Sequence, residues 1–436
     1  MFINASNGEY FVVAVGEAQL VPPATPTPRE FKSLSNVDSQ VCLRHYIPFV
    51  HFYPPSKRTS SSSSRDPVGV IKLALSRALV HYYPLAGRLR NEGMDENLVI
   101  DCCGKGVKFR EADANITLEE LRQINGDLRP PFPLWERFLI DDVWGGNFIT
   151  DSPLLRMQVT RLACGGFVLA YTFNHCACDT YGAFQFITAV SEFSRDPHRK
   201  DPSILPCWRR EALSSRCPST RSMLSHREEL NMADNDEAHH NLTKTYFKSF
   251  DETSVFLSNA EIALLKKQVT SNKNNYGTFD VVVSCLWRAR TRTLFSSDED
   301  VTKIFIPFDT RFRYKNDLLK GFYGNTAVVA CATAKASELN IDKPLSYATS
   351  LTTQAKKKVG EEVRKSSCFD WFQASYAGPA RAGIGLLPGM ITSLLCHKSS
   401  DGVEGLLALS SLPPMFTNRF RRELDWYVVT MLDVDV

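Results

Sequence analysis

The segment from Cys164 to Phe193 constrains the fold more than any other. Gly165-Gly166-Phe167-Val168-Leu169-Ala170-Tyr171-Thr172-Phe173-Asn174 is an apolar run of strand length opened by two glycines. The period then changes: Ala183, Phe184, Phe186, Ile187, Val190 and Phe193 recur at helical spacing over residues 180–194. Strand, short loop and helix in that order is the building unit of an α/β sheet. The loop His175-Cys176-Ala177-Cys178-Asp179 therefore sits at a strand's carboxyl end, where such folds commonly carry their chemistry.

Other segments extend this class along the chain. Asp66 can cap a helix, Pro67 suits its first position, and Val68, Ile71, Leu75, Ala78, Leu79 and Tyr82 form a 3.6-residue stripe that Pro84 closes. Leu98-Val99-Ile100-Asp101-Cys102 and Val107-Lys108-Phe109 read as a hairpin around Cys103-Gly104-Lys105-Gly106. A phosphate loop does not fit there, because Gly-Lys is followed by strand residues rather than by Ser or Thr opening a helix. Residues 60–64 are a serine-rich surface loop, and residues 197–243, polar and aperiodic, read as a crossover between domains at 1–196 and 244–436. The second half offers a strand around Tyr246 to Phe250 and a capping box, Ser258-Asn259-Ala260-Glu261. A helix over Phe279 to Leu294 and a strand at Lys303-Ile304-Phe305-Ile306-Pro307 follow. Alternating elements in both halves predict an α/β fold with mixed sheets.

Length and charge exclude several function classes. At 436 residues the chain exceeds what one core usually organises. No stretch of eighteen or more apolar residues is available to span a bilayer. The 51 basic and 48 acidic residues nearly balance at +3, which predicts neither a nucleic-acid nor a membrane partner. The first nine residues lack a basic and then apolar leader, so a cytoplasmic location is expected. Twelve Cys without C-x-x-C spacing, some in apolar runs as with Cys285 and Cys331, read as reduced thiols.

His175 can accept a proton near neutral pH, which few side chains do without large perturbation. Asp179, four residues on, could meet it across a tight turn or point away and fix the loop. Other readings compete. The histidine could be hydrogen-bonded in a core; it could ligate a metal with Cys176, Cys178 and Asp179; or either thiol could be a nucleophile activated by it. No second cluster at ligand spacing completes a metal site, so no metal is expected. Spacing alone leaves the catalytic and structural histidine evenly matched.

A series of further motifs occurs in order: Tyr82-Tyr83-Pro84-Leu85-Ala86-Gly87-Arg88-Leu89, Pro130-Pro131-Phe132-Pro133, and Gln158-Val159-Thr160-Arg161 followed by Cys164-Gly165-Gly166-Phe167. Thr278-Phe279-Asp280, Gly321-Phe322-Tyr323-Gly324-Asn325 and Leu412-Pro413-Pro414 complete it. With His175-x-x-x-Asp179 these resemble the plant BAHD acyltransferases over nearly the whole chain, and most closely the benzyl alcohol and methanol acyltransferase branch. The resemblance implies two domains related to chloramphenicol acetyltransferase, with a channel between them that admits acyl-CoA from one side and a small alcohol or amine from the other. It implies acyl-CoA as cosubstrate, no bound cofactor, a monomer, and His175 as general base without a covalent acyl-enzyme. It also implies that Asp179 pairs with Arg311 of the second domain and so supports the site, and that Asn325 gives polar support to the site or to a developing oxyanion.

One signature departs from the family. Where Asp-Phe-Gly-Trp-Gly is expected, the chain has Cys368-Phe369-Asp370-Trp371-Phe372, and Asp370 and Phe372 replace two glycines that would permit a tight backbone. The family also carries a longer stretch, including a strand that lines the acceptor channel, between the helix around Val363 and this motif. The resemblance therefore leaves a second expectation beside the enzyme, a shortened member that binds ligand without turnover.

Overall fold

A computed structural model describes residues 11–429 apart from 36, 41–42, 56–65, 92–97, 125–127, 129–133, 141–148, 214–250, 271–274, 296, 312–319, 366–391, 400 and 413. The serine-rich loop 60–64, the segment 130–133, the strand expected at 246–250, and Cys368, Phe369, Asp370, Trp371 and Phe372 lie outside the described residues. The chain divides into two compact units, one of residues 1–128, 132–216 and 314–326, the other of 129–131, 217–313 and 327–436.

In chain order the first unit contains β1 (Val13–Val15), β2 (Gln19–Val21), β3 (Phe31–Ser33), β4 (Tyr46–Tyr53), α1 (Pro67–His81), β5 (Arg88–Asn91), β6 (Leu98–Asp101) and β7 (Val107–Ala114). There follow α2 (Leu118–Ile124), β8 (Leu155–Leu162), β9 (Phe167–Asn174) and α3 (Thr180–Arg195). Its main sheet runs β1-β7-β8-β9-β4, with β2 also on β7. β7 and β8 are parallel and the other pairs antiparallel, so the sheet is mixed, as the alternating elements predict. Leu169, Tyr171 and Phe173 of β9 join one core with Leu75, Ala78 and Leu79 of α1 and Ala183, Phe186 and Val190 of α3. Val168 and Ala170 join a second core with Leu118 and Leu121 of α2 and Phe138. A strand buried on both faces has no reason to alternate, which is why β9 reads as one continuous apolar run.

The expected stripe of α1 is buried throughout, and Asp66 caps it by accepting from the Val68 amide. Arg161, in the Gln158-Val159-Thr160-Arg161 motif, holds that cap from β8: its Nε lies 2.7 Å from Asp66 and its Nη2 2.9 Å from Glu111 of β7.

The hairpin expected at residues 98–109 does not form. β6 pairs with β3 and β5 in a separate three-stranded sheet, whereas β7 pairs with β1, β2 and β8. The connection turns over Gly104 and Gly106, at φ 62° and 92°, but it carries the chain from one sheet to another. A Cβ on Gly106 would stand 2.3 Å from the Val21 carbonyl, so the second glycine is needed for close passage against β2.

The second unit contains β10 (Asp251–Ser258), α4 (Asn259–Val269), α5 (Thr278–Leu294), β11 (Val301–Asp309) and β12 (Ala327–Lys335). It continues with α6 (Leu345–Lys365), β13 (Thr392–Lys398), β14 (Glu404–Leu412) and α7 (Pro414–Val429). The strands form an antiparallel β10-β14-β13 sheet and a β11-β12 pair. The capping box of α4 is complete, with Ser258 Oγ and amide both 2.6 Å from Glu261 Oε2 and the Glu261 amide donating to Ser258 Oγ at 3.2 Å. Asp280, in the Thr278-Phe279-Asp280 motif, lies in the first turn of α5 and meets Lys356 of α6 at 2.5 Å. Val281, Cys285 and Ala289 of α5 pack with Ile262, Leu265, Phe420 and Leu424. Burial pushes the Cys285 thiol up to about 12, the property of an inert core residue. Among the described residues no helix is long and apolar enough to cross a membrane.

Candidate active site

β9 ends at Asn174 and α3 begins at Thr180, so five residues make the turn between them. The amides of the turn's first three residues each have a partner. The Asn174 amide donates to the Leu154 carbonyl at 2.8 Å, the His175 amide to the His45 carbonyl at 2.9 Å, and the Ala177 amide to the Asn174 carbonyl at 2.9 Å. Asn174 Oδ1 accepts from the Cys176 amide at 3.1 Å. Asp179 is the N-cap of α3, accepting from the Gly182 amide at 2.9 Å. A carboxylate at that end also meets the positive pole of the helix. Gly182 has no room for a side chain: a Cβ would stand 1.9 Å from the Tyr323 carbonyl oxygen.

Three carbonyls of the turn, those of His175, Cys176 and Ala177, accept from side chains elsewhere in the chain. Asn325 Nδ2 donates to the His175 carbonyl at 2.8 Å and to Asp38 Oδ1 at 2.7 Å, and the Asn325 amide donates to the same Oδ1 at 3.0 Å. Arg210 Nη1 lies 2.5 Å from Asp38 Oδ1 and 3.5 Å from the Cys176 carbonyl, while its Nη2 donates to the Ala177 carbonyl. Ser35 donates to Asp38 Oδ2 through its hydroxyl and its amide. Asp38 and Arg210 are 0% and 1% exposed. The Trp208 ring centre lies 4.2 Å from the Arg210 guanidinium carbon, a cation–π contact that suits a planar, weakly hydrated cation.

The His175 residue is half-buried, but its Nδ1 is fully covered and makes no hydrogen bond of good geometry among the described residues. His45 stands edge-on to it, ring centres 5.3 Å apart. Burial is the largest influence and pushes His175 below the ordinary imidazole value. The carbonyls of His175 and Cys178, the Asp38 carboxylate and Asn325 pull it the other way. The net downward shift favours the neutral imidazole, the state a proton acceptor needs. Cys176 and Cys178 are 0% and 1% exposed, and Cys176 Sγ donates to the Leu43 carbonyl at 3.3 Å, which fits packed thiols rather than nucleophiles. Among the described residues no group of three or more His, Cys, Asp or Glu is placed to hold a metal ion.

Arg311 belongs to the second unit, where its amide and Nη1 both donate at 2.8 Å to the Asp309 carboxylate. His175, Asp179 and Asn325 all belong to the first unit and meet around one turn. Asp38 and Arg210 are functional candidates that sequence reading passes over. Asp38 had one signal, the Ser35-x-x-Asp38 spacing of a local capping turn. Arg210 had none, standing among the polar residues that read as a crossover.

The first unit is thus an α/β fold with a histidine at the carboxyl end of a buried strand. A family model described as "Transferase family" matches residues 11–399. The chain is 36% identical over 446 aligned positions to benzyl alcohol O-benzoyltransferase of Petunia hybrida, covering 95% of this chain and 93% of that protein. It is 35% identical to 13-hydroxylupanine O-tigloyltransferase of Lupinus albus, covering 95% and 94%. Vinorine synthase has a similar fold, with a TM-score of 0.65 at 18% identity, covering 96% and 98%. So does TRI101 of F. sporotrichioides, solved with coenzyme A and T-2, with a TM-score of 0.60 at 15% identity, covering 91% and 97%. The chain belongs to the BAHD family of acyl-CoA-dependent acyltransferases.

Proposed function

We propose that the protein transfers an acyl group, benzoyl, acetyl or a close relative, from acyl-CoA to the hydroxyl or amine of a small plant metabolite, with His175 as general base. The observation that carries this reading is a half-buried imidazole, its basicity lowered by burial, whose backbone is pinned on both sides at the end of β9. Relatives named for alcohol acceptors and for benzoyl and tigloyl groups support the substrate class. With Nδ1 enclosed, Nε2 is the nitrogen left to meet the acceptor. It takes the acceptor proton as the acceptor heteroatom bonds to the thioester carbonyl carbon. Collapse of the tetrahedral intermediate breaks the carbon–sulfur bond, and the imidazolium returns the proton to the departing thiolate. Protons balance within one turnover, and no acyl-enzyme is required.

Asp179 acts in this scheme by capping α3 and setting the turn, together with the pairing to Arg311 that family resemblance implies. Asn325 supports the turn: both of its amide hydrogens are committed, to Asp38 and to the His175 carbonyl, so neither is left for an oxyanion. Asp179→Asn, which keeps a good cap but gives up the charge, is expected to lose less stability than Asp179→Ala, whose lost cap should cost about 1 kcal/mol by thermal or urea unfolding. Both should lose less activity than a change at His175.

The lowered basicity of His175 sets the pH dependence. The competent neutral form is lost as pH falls through its depressed value, so kcat/KM should hold from neutral pH downward and fall along an acid limb centred below about 6.5. An acid limb above neutrality would remove the assigned base. The reaction itself is tested by supplying acetyl- and benzoyl-CoA with a panel of alcohols and amines and reading product mass. Ester or amide formation is expected, and a folded protein with no product across the panel would overturn the proposal.

A further inference from the structure

We propose that Arg210, clamped by Asp38, is a positioning residue for the base: it grips the carbonyls of Cys176 and Ala177, the two residues after His175, and fixes the direction in which the imidazole meets the acceptor. The inference rests on His175 being that base.

Four observations converge on it. The turn between β9 and α3 has three consecutive carbonyls, those of His175, Cys176 and Ala177, and each accepts from a side chain remote in sequence. Two of the three are taken by one guanidinium, whose planar fork of donors can span adjacent acceptors where a lysine ammonium cannot. The third is taken by Asn325, and Arg210 and Asn325 converge on the same oxygen, Asp38 Oδ1. Asp38 thus ties both grips into one unit, with Ser35 fixing its other oxygen. Finally, both ions are buried, and a buried pair is weak support for stability in itself, because apolar residues of like volume often do as well. A role in holding the turn explains why a charged cluster occupies this place.

A misplacement of about 1 Å at a reacting group can cost about 100-fold in rate, so loss of the grip should appear in kcat rather than in binding. Arg210→Lys keeps the charge beside Asp38 but cannot reach the carboxylate and both carbonyls together. Its kcat is expected to fall about 10- to 100-fold with KM for acyl-CoA close to wild type. A folded Arg210→Lys protein with wild-type kcat would overturn the proposal. Should that variant not fold, the paired change Asp38→Asn with Arg210→Met removes both charges at similar volume. It is expected to be folded and still slow; a folded double variant at wild-type kcat would overturn the proposal equally. His175→Ala measured alongside separates the two claims. An active His175→Ala enzyme removes the base, whereas a slow His175→Ala enzyme beside a full-speed Arg210→Lys enzyme removes only the positioning role.

Discussion

Replacing His175 with alanine is expected to lower kcat by about 100- to 10,000-fold, the usual worth of a positioned general base. The fold should survive this change for a specific reason. The bonds that fix the residue run through its backbone, from its amide to the His45 carbonyl and from Asn325 to its own carbonyl, and alanine keeps both. Its Nδ1 makes no hydrogen bond of good geometry among the described residues, so truncation strands no partner there. Steady-state kinetics should show kcat and kcat/KM falling together, the pattern of an interaction made in the transition state. An alanine variant that turns over at the wild-type rate would show that the proton is taken elsewhere.

Replacing Asp38 with alanine should produce the largest loss of stability. Asp38 is fully buried and accepts from Ser35, Asn325 and Arg210. Its removal leaves the Arg210 cation buried without its carboxylate, a change that typically costs about 3–5 kcal/mol. Against total stabilities of about 5–15 kcal/mol, that loss should appear as a clearly lowered urea midpoint or as protein that no longer folds at growth temperature. Asp38→Asn should fall between wild type and Asp38→Ala, because the amide keeps one oxygen, for either the Asn325 donors or the Ser35 donors, while losing the charge and the second acceptor. A wild-type midpoint for Asp38→Ala would mean that the cluster carries no weight in the first unit.

The sequence made visible those elements whose causes are local. α1 announces itself through Asp66, Pro67 and a buried stripe, α4 through its capping box, and β9 and α3 through a change of hydrophobic period at His175. Strand pairing was not visible in the same way. The glycines after β6 do turn the chain, but whether β7 returns to pair with β6 depends on β1, β2 and β8, which lie elsewhere in sequence. The site divides along the same line. His175 and Asp179 stand out by spacing, whereas the residues beneath them are assembled from three separate regions. Asn325 and Asp38 are 287 residues apart, and nothing in the polar stretch around Arg210 marks it as the occupant of a core. Family resemblance pointed to Asn325 as polar support of the site or of a developing oxyanion, and the structure adds its partners, Asp38 and the His175 carbonyl.

Acyl transfer by direct attack makes a distinctive demand on thiol release, and rapid mixing of purified protein with benzoyl-CoA reads it. With benzoyl-CoA alone, no burst of free thiol is expected, because direct attack passes through no acyl-enzyme. With benzyl alcohol added, thiol should appear continuously, one for each molecule of ester. A thiol burst without acceptor would contradict the direct mechanism, and a folded, CoA-binding protein that releases no thiol with any acceptor would contradict the assignment as an acyltransferase.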